Sequence, residues 1–320
     1  MIRELIFTSL SAHTNMQTTS KILLVKPTTF GFNEETAVSN TFQNQVISDA
    51  KIIRDKALKE FDAFVKKLRS EGIGVLVFED QEKTEKPDAV FPNNWISMHE
   101  DGTMVLYPMH APNRRNERSA ELIEKIKQEF EVKRIVDLTH YEKLEKFLEG
   151  TGSIVFDHDA KKAFACISPR TDAELLNLLC KEIGYKPITF IATDKNNVPI
   201  YHTNVMMCIA PDFAVICLES IKKPDEKKRI ELSLSAGGKK IIDITLQQMH
   251  AFAGNMLAIH NREGKKFIAM SESAFDCLTS SQKTILENFC TLLPLNVKTI
   301  ETVEGGSVRC MMAEIFFERK

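Results

Sequence analysis

Cys310, His202 and Glu149 are the residues of this chain whose types and neighbours best suit them to chemistry. Cys310 closes the run Glu304-Gly305-Gly306-Ser307-Val308-Arg309-Cys310, in which two glycines let the backbone approach a ligand closely. A thiol there can attack a bound group that nearby backbone amides polarise. Flanked by Met311 and Met312, it also reads as an ordinary core cysteine. His202 begins a stretch in which Val205, Met207 and Ile209 alternate, so it stands at the mouth of an expected strand over 204–209. A histidine so placed is usually structural; otherwise it is the general acid/base that a thiol nucleophile needs. Glu149 precedes Gly150-Thr151-Gly152-Ser153, where its carboxylate either orients an imidazole or sits solvated in a loop. Asp88, Asn93 and Asn94 lead into Trp95, the only tryptophan, and read either as a polar pocket floor with an aromatic wall or as a turn.

The elements that must position these residues alternate from end to end. Apolar residues at helical spacing predict helices over 41–70, 116–130, 171–183, 225–236 and 280–293. Between them, short β-like runs are expected at 22–26, 74–78, 134–138, 153–156, 163–168, 213–218, 240–242, 256–260, 266–270 and 311–317. Hairpin-like pairs are too frequent for a doubly wound sheet, so the fold class is α/β with several short sheets. No Pro/Gly/Ser-rich linker divides the chain, which predicts one catalytic domain over 16–320 after an extension, expected to be disordered, over 1–15.

Composition narrows the function. Forty-two basic against forty-four acidic residues leave a net charge of −2, with no basic stripe interleaved with aromatics, so nucleic acid is not an expected partner. No apolar run reaches the roughly 18–20 residues of a membrane span. Seven cysteines stand at 166, 180, 208, 217, 277, 290 and 310 without zinc or disulfide-framework spacing, which suits a reducing cytoplasm. Phosphate-cradling glycine motifs are absent. No metal or cofactor is called for. The expected partner is a small amino-acid substrate, and a homodimer is compatible with this picture.

Taken in order, these segments resemble the pentein superfamily of arginine and agmatine deiminases, dimethylargininases and amidinotransferases. Residues 87–95 are similar to the dimethylargininase segment D-x-V-F-x-E-D, and Ala111-Pro112-Asn113-Arg114-Arg115-Asn116-Glu117 to A-P-x-R-R-x-E. Residues 149–153 and 165–172 resemble E-G-G-D and G-x-S-x-R-T-N, and residues 305–310 resemble G-G-x-x-x-C. The resemblance spans 21–317 and implies a five-bladed, pseudo-symmetric α/β propeller of ββαβ-type units. It further implies that Cys310 is the nucleophile, His202 the acid/base and Glu149 the acid beside it. Arg170 and Arg115 match arginines that grip a substrate carboxylate, and Asp88 an acid of the substrate pocket.

Two departures bear on the substrate. Asn94 stands where the family's E-D acid does, and Asn204 where the arginine deiminase H-x-D acid does; Ser153 also replaces the second acid of E-G-G-D. Guanidinium groups carry charge and only donors, so they suit carboxylates, whereas a neutral ureido group offers both acceptor and donors and suits amides. The pattern looks like the citrulline-utilisation (citrulline ureidase) branch, with ornithine, ammonia and carbon dioxide as products. An arginine dihydrolase or deiminase is the nearest alternative, and a non-catalytic binding protein is the alternative from another class. Cys310→Ser is expected to abolish turnover; full activity in that variant would remove the cysteine mechanism.

Overall fold

The computed structural model describes residues 17–80 and 84–320, so the extension expected over 1–15 lies outside the described residues. Short apolar runs and amphipathic stretches assemble into five three-stranded sheets of one design. In each, an inner strand pairs antiparallel with a middle strand, and a helical crossover returns the chain as an outer strand parallel to the middle one. The second unit is β3 (Ile96–Met98), β4 (Thr103–Leu106) and β5 (Arg134–Asp137), and the third is β6 (Val155–Asp157), β7 (Lys162–Cys166) and β8 (Lys186–Phe190). The fourth is β9 (Met207–Ile209), β10 (Phe213–Ile216) and β11 (Lys240–Asp243), and the fifth is β12 (Leu257–His260), β13 (Lys266–Ser271) and β14 (Thr291–Leu295). The first unit draws on both ends of the chain. Middle strand β1 (Lys21–Val25) pairs parallel with β2 (Gly74–Phe78) and antiparallel with β15 (Ala313–Glu314). This closes the ring, and the inner strands pack in succession, β15 against β3, β6 against β9 and β9 against β12. The five-bladed propeller implied by the motifs is the fold of this chain.

The crossover helices follow their apolar stripes. Helix α1 (Ala50–Ser70) buries Ile53, Ala57, Phe61, Phe64, Val65 and Leu68, and Asp49 caps it by accepting from the Lys51 amide. The expected start at residue 41 is corrected to Ala50, because residues 40–44 are tied over the interior instead. The Asn44 amide, for example, donates to the Thr302 carbonyl at 3.0 Å. Ile47, an apolar residue of the expected stretch, is fully exposed. Likewise the helix expected from 116 becomes α2 (Ala120–Glu129), capped by Ser119. Helices α3 (Ala173–Ile183) and α4 (Pro224–Ser235) stand near their predicted places, whereas α5 (Ser280–Glu287) stops short of the expected end at 293, because Thr291–Leu295 is strand β14.

The larger correction lies ahead of the inner strands. The strand expected over 204–209 begins as a helical turn, Thr203–Met206, and only Met207–Ile209 is extended. The C-terminal strand shrinks to two residues after the turn Val308–Met311. Turns Pro92–Asn94 and Gly150–Ser153 precede β3 and β6 in the same way. Every residue of β3, β6 and β9 is buried, so these short strands carry no in/out alternation, and β3, β4, β8 and β14 gave no strand signal at all.

Leu23 lies in the closing strand β1, fully buried between Ala313 and Leu76. Leu23→Ala should lower unfolding stability in urea by about 2–5 kcal/mol. A loss well under 1 kcal/mol would contradict a close-packed closure.

Candidate active site

The turns that precede the inner strands bring distant sequence segments into contact. Pro92–Asn94 touches both Gly150–Ser153 and Val308–Met311, and Gly150–Ser153 touches Thr203–Met206. Glu149 and His202 are the residues immediately before their turns, and Cys310 lies within its own. One cavity is lined by Asp88, Asn94, Arg170, His202 and Cys310 of the predicted set, together with Glu304, Arg114, Tyr201 and Phe91.

Glu149 has no exposed surface. One of its oxygens takes a hydrogen bond from the His110 amide at 2.9 Å; the other is 2.8 Å from His202 Nε2 and 3.6 Å from Arg170 Nη1. Burial alone would raise its pKa, but Arg170, the His202 hydrogen bond and Arg114 hold it well below the carboxylate range. The even choice between orienting acid and solvated loop charge therefore resolves to a buried partner of His202. Burial depresses the His202 pKa to about 4, against the raising effect of Glu149. With Glu149 ionised, Nε2 carries the proton and Nδ1 holds the lone pair. Two glycines make room for this. Gly150 adopts φ +47°, and a Cβ on it would meet the Asn93 carbonyl at 2.2 Å. A Cβ on Gly152 would stand 2.7 Å from His202 Nδ1 and 2.5 Å from Asn94 Nδ2.

Cys310 is 4% exposed. Its sulfur receives two carboxamide contacts, from Asn204 Nδ2 at 3.4 Å and from Asn255 Nδ2 at 3.3 Å. Asn204 Oδ1 is buried with no hydrogen-bond partner among the described residues. A thiol and a neutral imidazole in one cavity, the first in contact with two buried carboxamides and the second with its orienting carboxylate, can support covalent attack on a planar carbon followed by proton transfer to the departing group.

The arginine assignment is corrected by one position. Arg115 points outward, donating to the Met109 carbonyl at 3.1 Å and lying 3.4 Å from Glu142. It is Arg114 that enters the cavity, paired with Glu117 at 2.8 and 2.9 Å and donating to Asn94 Oδ1 at 2.8 Å. The turn of Pro112–Glu117 alternates which side chain faces inward, and nothing in the string Arg-Arg distinguishes them. Arg170 is held by Ser39 Oγ and the Thr36 carbonyl and lies over the Tyr201 ring, 5.0 Å from its centroid. Asp88 accepts from Asn33 and Thr36 and stands 3.5 Å from Arg114.

Five residues at the site carried no assignment from the sequence: Asn33, Thr36 and Asn40 of the segment that covers the cavity, Asn255, and Glu304, which was read only as the start of the glycine motif. Glu304 is 2% exposed, accepts from Gln43 Nε2 at 2.9 Å, and leaves its other oxygen without a partner among the described residues. Burial, then the charge of Asp88, pushes its pKa well above the carboxylate range. Its only signal in the sequence was an acid directly before Gly305.

The His202 shift has a sign that can be tested. Between pH 6.5 and about 4 the unfolded chain binds a proton at this position that the folded chain does not. Its contribution to stability is therefore complete above 6.5, falls with pH through that window, and levels below about 4. Nitrogen-15 NMR should show a neutral His202 ring at pH 7 with the proton on Nε2, and an imidazolium at that pH would contradict the assignment.

Comparison with known proteins adds the family. A family model described as N,N dimethylarginine dimethylhydrolase, eukaryotic, matches residues 26–317. No curated protein matches by sequence search. Among solved structures, the N-terminal domain of ArgZ, an arginine dihydrolase from the ornithine–ammonia cycle in Cyanobacteria, superposes with TM-score 0.71 at 15% identity, covering 92% of this chain and 97% of that one. AgrE in ternary complex with ornithine and NAD+ gives TM-score 0.72 at 18% identity over 93% of this chain, which spans only 40% of AgrE. A cysteine-to-serine variant of DDAH from Pseudomonas aeruginosa, complexed with citrulline, gives 0.65 at 15% identity, covering 93% of this chain and 100% of that one. At these identities the structures speak for the fold, while the family model carries the membership. This chain belongs to the N,N-dimethylarginine dimethylhydrolase family of the pentein superfamily and is a hydrolase of carbon–nitrogen bonds.

Proposed function

We propose that the protein hydrolyses a ureido amino acid, L-citrulline, to ornithine, ammonia and carbon dioxide through a covalent intermediate on Cys310. The observation that carries this is the character of the groups at the sulfur: among the described residues, both side chains hydrogen-bonded to Sγ are neutral carboxamides, and Asn204 keeps a buried oxygen without a partner. An acceptor left bare inside a protein costs about 1–3 kcal/mol, so a substrate N–H that fills it contributes binding energy. A ureido NH2 supplies that donor without charge. A guanidinium at the same place gains more from a carboxylate.

The remainder of the cavity supports an α-amino acid tail. Asp88 and Glu304 are the acceptors for an ammonium group, and Arg170 is the donor for a carboxylate. In the proposed chemistry the Cys310 thiol passes its proton to the neutral His202 imidazole once substrate is bound, and the thiolate adds to the ureido carbon, forming a C–S bond and a tetrahedral oxyanion. Collapse breaks the bond to the δ-nitrogen, which leaves as ornithine with a proton from His202, and an S-carbamoyl cysteine remains. Water, deprotonated by His202, then adds to that carbon and releases the thiolate and carbamate. Carbamate decomposes to ammonia and carbon dioxide, so one water is consumed per citrulline.

A second reading is favoured by one observation, the two acids of the cavity floor. With Asp88 and Glu304 both facing inward, arginine could be accommodated and carried through a ureido stage to ornithine, as in the arginine dihydrolases that share the fold. An endpoint assay separates the two. Purified protein is incubated with L-citrulline, L-arginine or dimethylarginine, and ornithine, citrulline and ammonia are quantified with Cys310→Ala as blank. Ornithine and ammonia in equal amounts from citrulline, with arginine untouched, is the expected result. Ornithine from arginine would make the protein a dihydrolase, and citrulline accumulating from arginine would mean that the amides do not select a neutral head group.

A further inference from the structure

Asn255 uses its whole side chain at the junction of three segments. Its Oδ1 accepts from the Arg309 amide at 3.0 Å, and its Nδ2 donates to the Asn204 carbonyl at 2.9 Å and to Cys310 Sγ at 3.3 Å. The orientation of an amide side chain is set by its partners. Here Oδ1 is committed to a backbone N–H and one Nδ2 hydrogen to a carbonyl, so only an N–H can face the sulfur. Asn204 has no such lock, because its own oxygen is unpartnered among the described residues. A donor that cannot be exchanged for an acceptor favours the sulfur as an anion, since a thiolate accepts strongly and a thiol only weakly.

We propose that Asn255 is a further catalytic residue, holding Cys310 as the thiolate and fixing the sulfur relative to the Thr203–Met206 turn. This rests on the reading of Cys310 as the nucleophile. The position explains why Asn255 serves two ends at once: it stands just ahead of β12, at the end of the turn over 251–254, and bridges the turns that precede β9 and β15. Gly254 beside it lets that turn close on its neighbour, since a Cβ there would meet the Val205 carbonyl at 2.4 Å. The other ionisable groups around the sulfur are His202, Tyr201, Asp88, Glu304, Arg114 and Arg170, which line the cavity. Behind it, Arg309 is engaged by Glu314 at 2.9 Å, and Glu301 by Ser307 and Ser273. Of the side chains in direct hydrogen-bond contact with Sγ, Asn255 is the one whose donor is locked.

Site-resolved alkylation of the full chain tests this. Iodoacetamide modification of the Cys310 peptide is followed by mass spectrometry from pH 5 to 10, which separates it from the other cysteines. In the wild type the rate should rise with pH to a plateau, and the pH of half-plateau is the reference midpoint for the variants. Asn255→Ala should move that midpoint up by about one unit, lowering the rate at pH 7 by about tenfold, while the high-pH plateau stays within about twofold. Asn255→Asp, of the same size but with an acceptor facing the sulfur, should move it further. Thermal melts verify that both variants fold. In the wild type itself, the Asn255 side-chain amide NMR signal should shift with the Cys310 midpoint, an outcome that needs no variant. A wild-type midpoint unmoved by either substitution, a lowered plateau in place of a shifted midpoint, or an amide signal indifferent to that titration would each overturn the role of Asn255. A wild-type rate at Cys310 that never rises with pH to a plateau would instead remove the nucleophile reading.

Discussion

One buried carboxylate constrains the rest of this site. Glu149 lies without exposed surface where an unpaired charge would cost several kcal/mol, so the fold has to surround it with donors. It does so with groups from separate segments: the His110 amide, His202 of the next unit, and Arg170 from the loop after β7. Each partner is thereby fixed in place by the same charge. His202 keeps one tautomer, Arg170 is drawn toward the axis, and Gly150 and Gly152 are needed because the turn that delivers Glu149 runs against Asn93, Asn94 and the imidazole.

A second set of contacts ties the chain before α1 to that centre. Arg170 is gripped by Thr36 and Ser39, Asp88 by Asn33 and Thr36, and the Glu304 carbonyl by Asn40 Nδ2 at 3.0 Å. Residues 33–43 thus cover the cavity through polar bonds to side chains that themselves line it. Gln43, bound to Glu304, and the Asn44 amide, bound to the Thr302 carbonyl, carry this cover into the stretch with helical spacing, and Asp49 supplies the cap from which α1 begins.

The polarity of the cavity is divided along its length. Around the sulfur the groups are neutral amides, whereas Asp88, Arg114 and Arg170 bring charged groups to the cavity beside the buried acid Glu304. A substrate that is neutral at its reacting end and zwitterionic at its other end matches this division, and that match is the physical content of the ureido amino acid proposal. Membership of a family described by dimethylarginine hydrolysis is compatible with a different head group, because the fold fixes the positions of Cys310, His202 and Glu149 while a few side chains decide the charge a substrate meets.

Residue chemistry that survives without neighbours was legible in the sequence. The glycine-flanked acid, the cysteine after paired glycines and the alternation of short strands with amphipathic helices were visible in local type and spacing, while the roles of these residues and the amide substitutions emerged from the resemblance to family motifs. What the chain could not reveal locally was decided by convergence. Asn255 and Glu304 have no motif of their own and matter only because five turns meet at one axis. Arg114 and Arg115 are equivalent as letters, and the direction of a single 3-10 turn chooses between them. The inner strands are short and mostly buried, so the pattern missed β3 and overran β9 and β15; their true bounds follow from ring closure by β15 on β1, a contact between segments far apart in the chain.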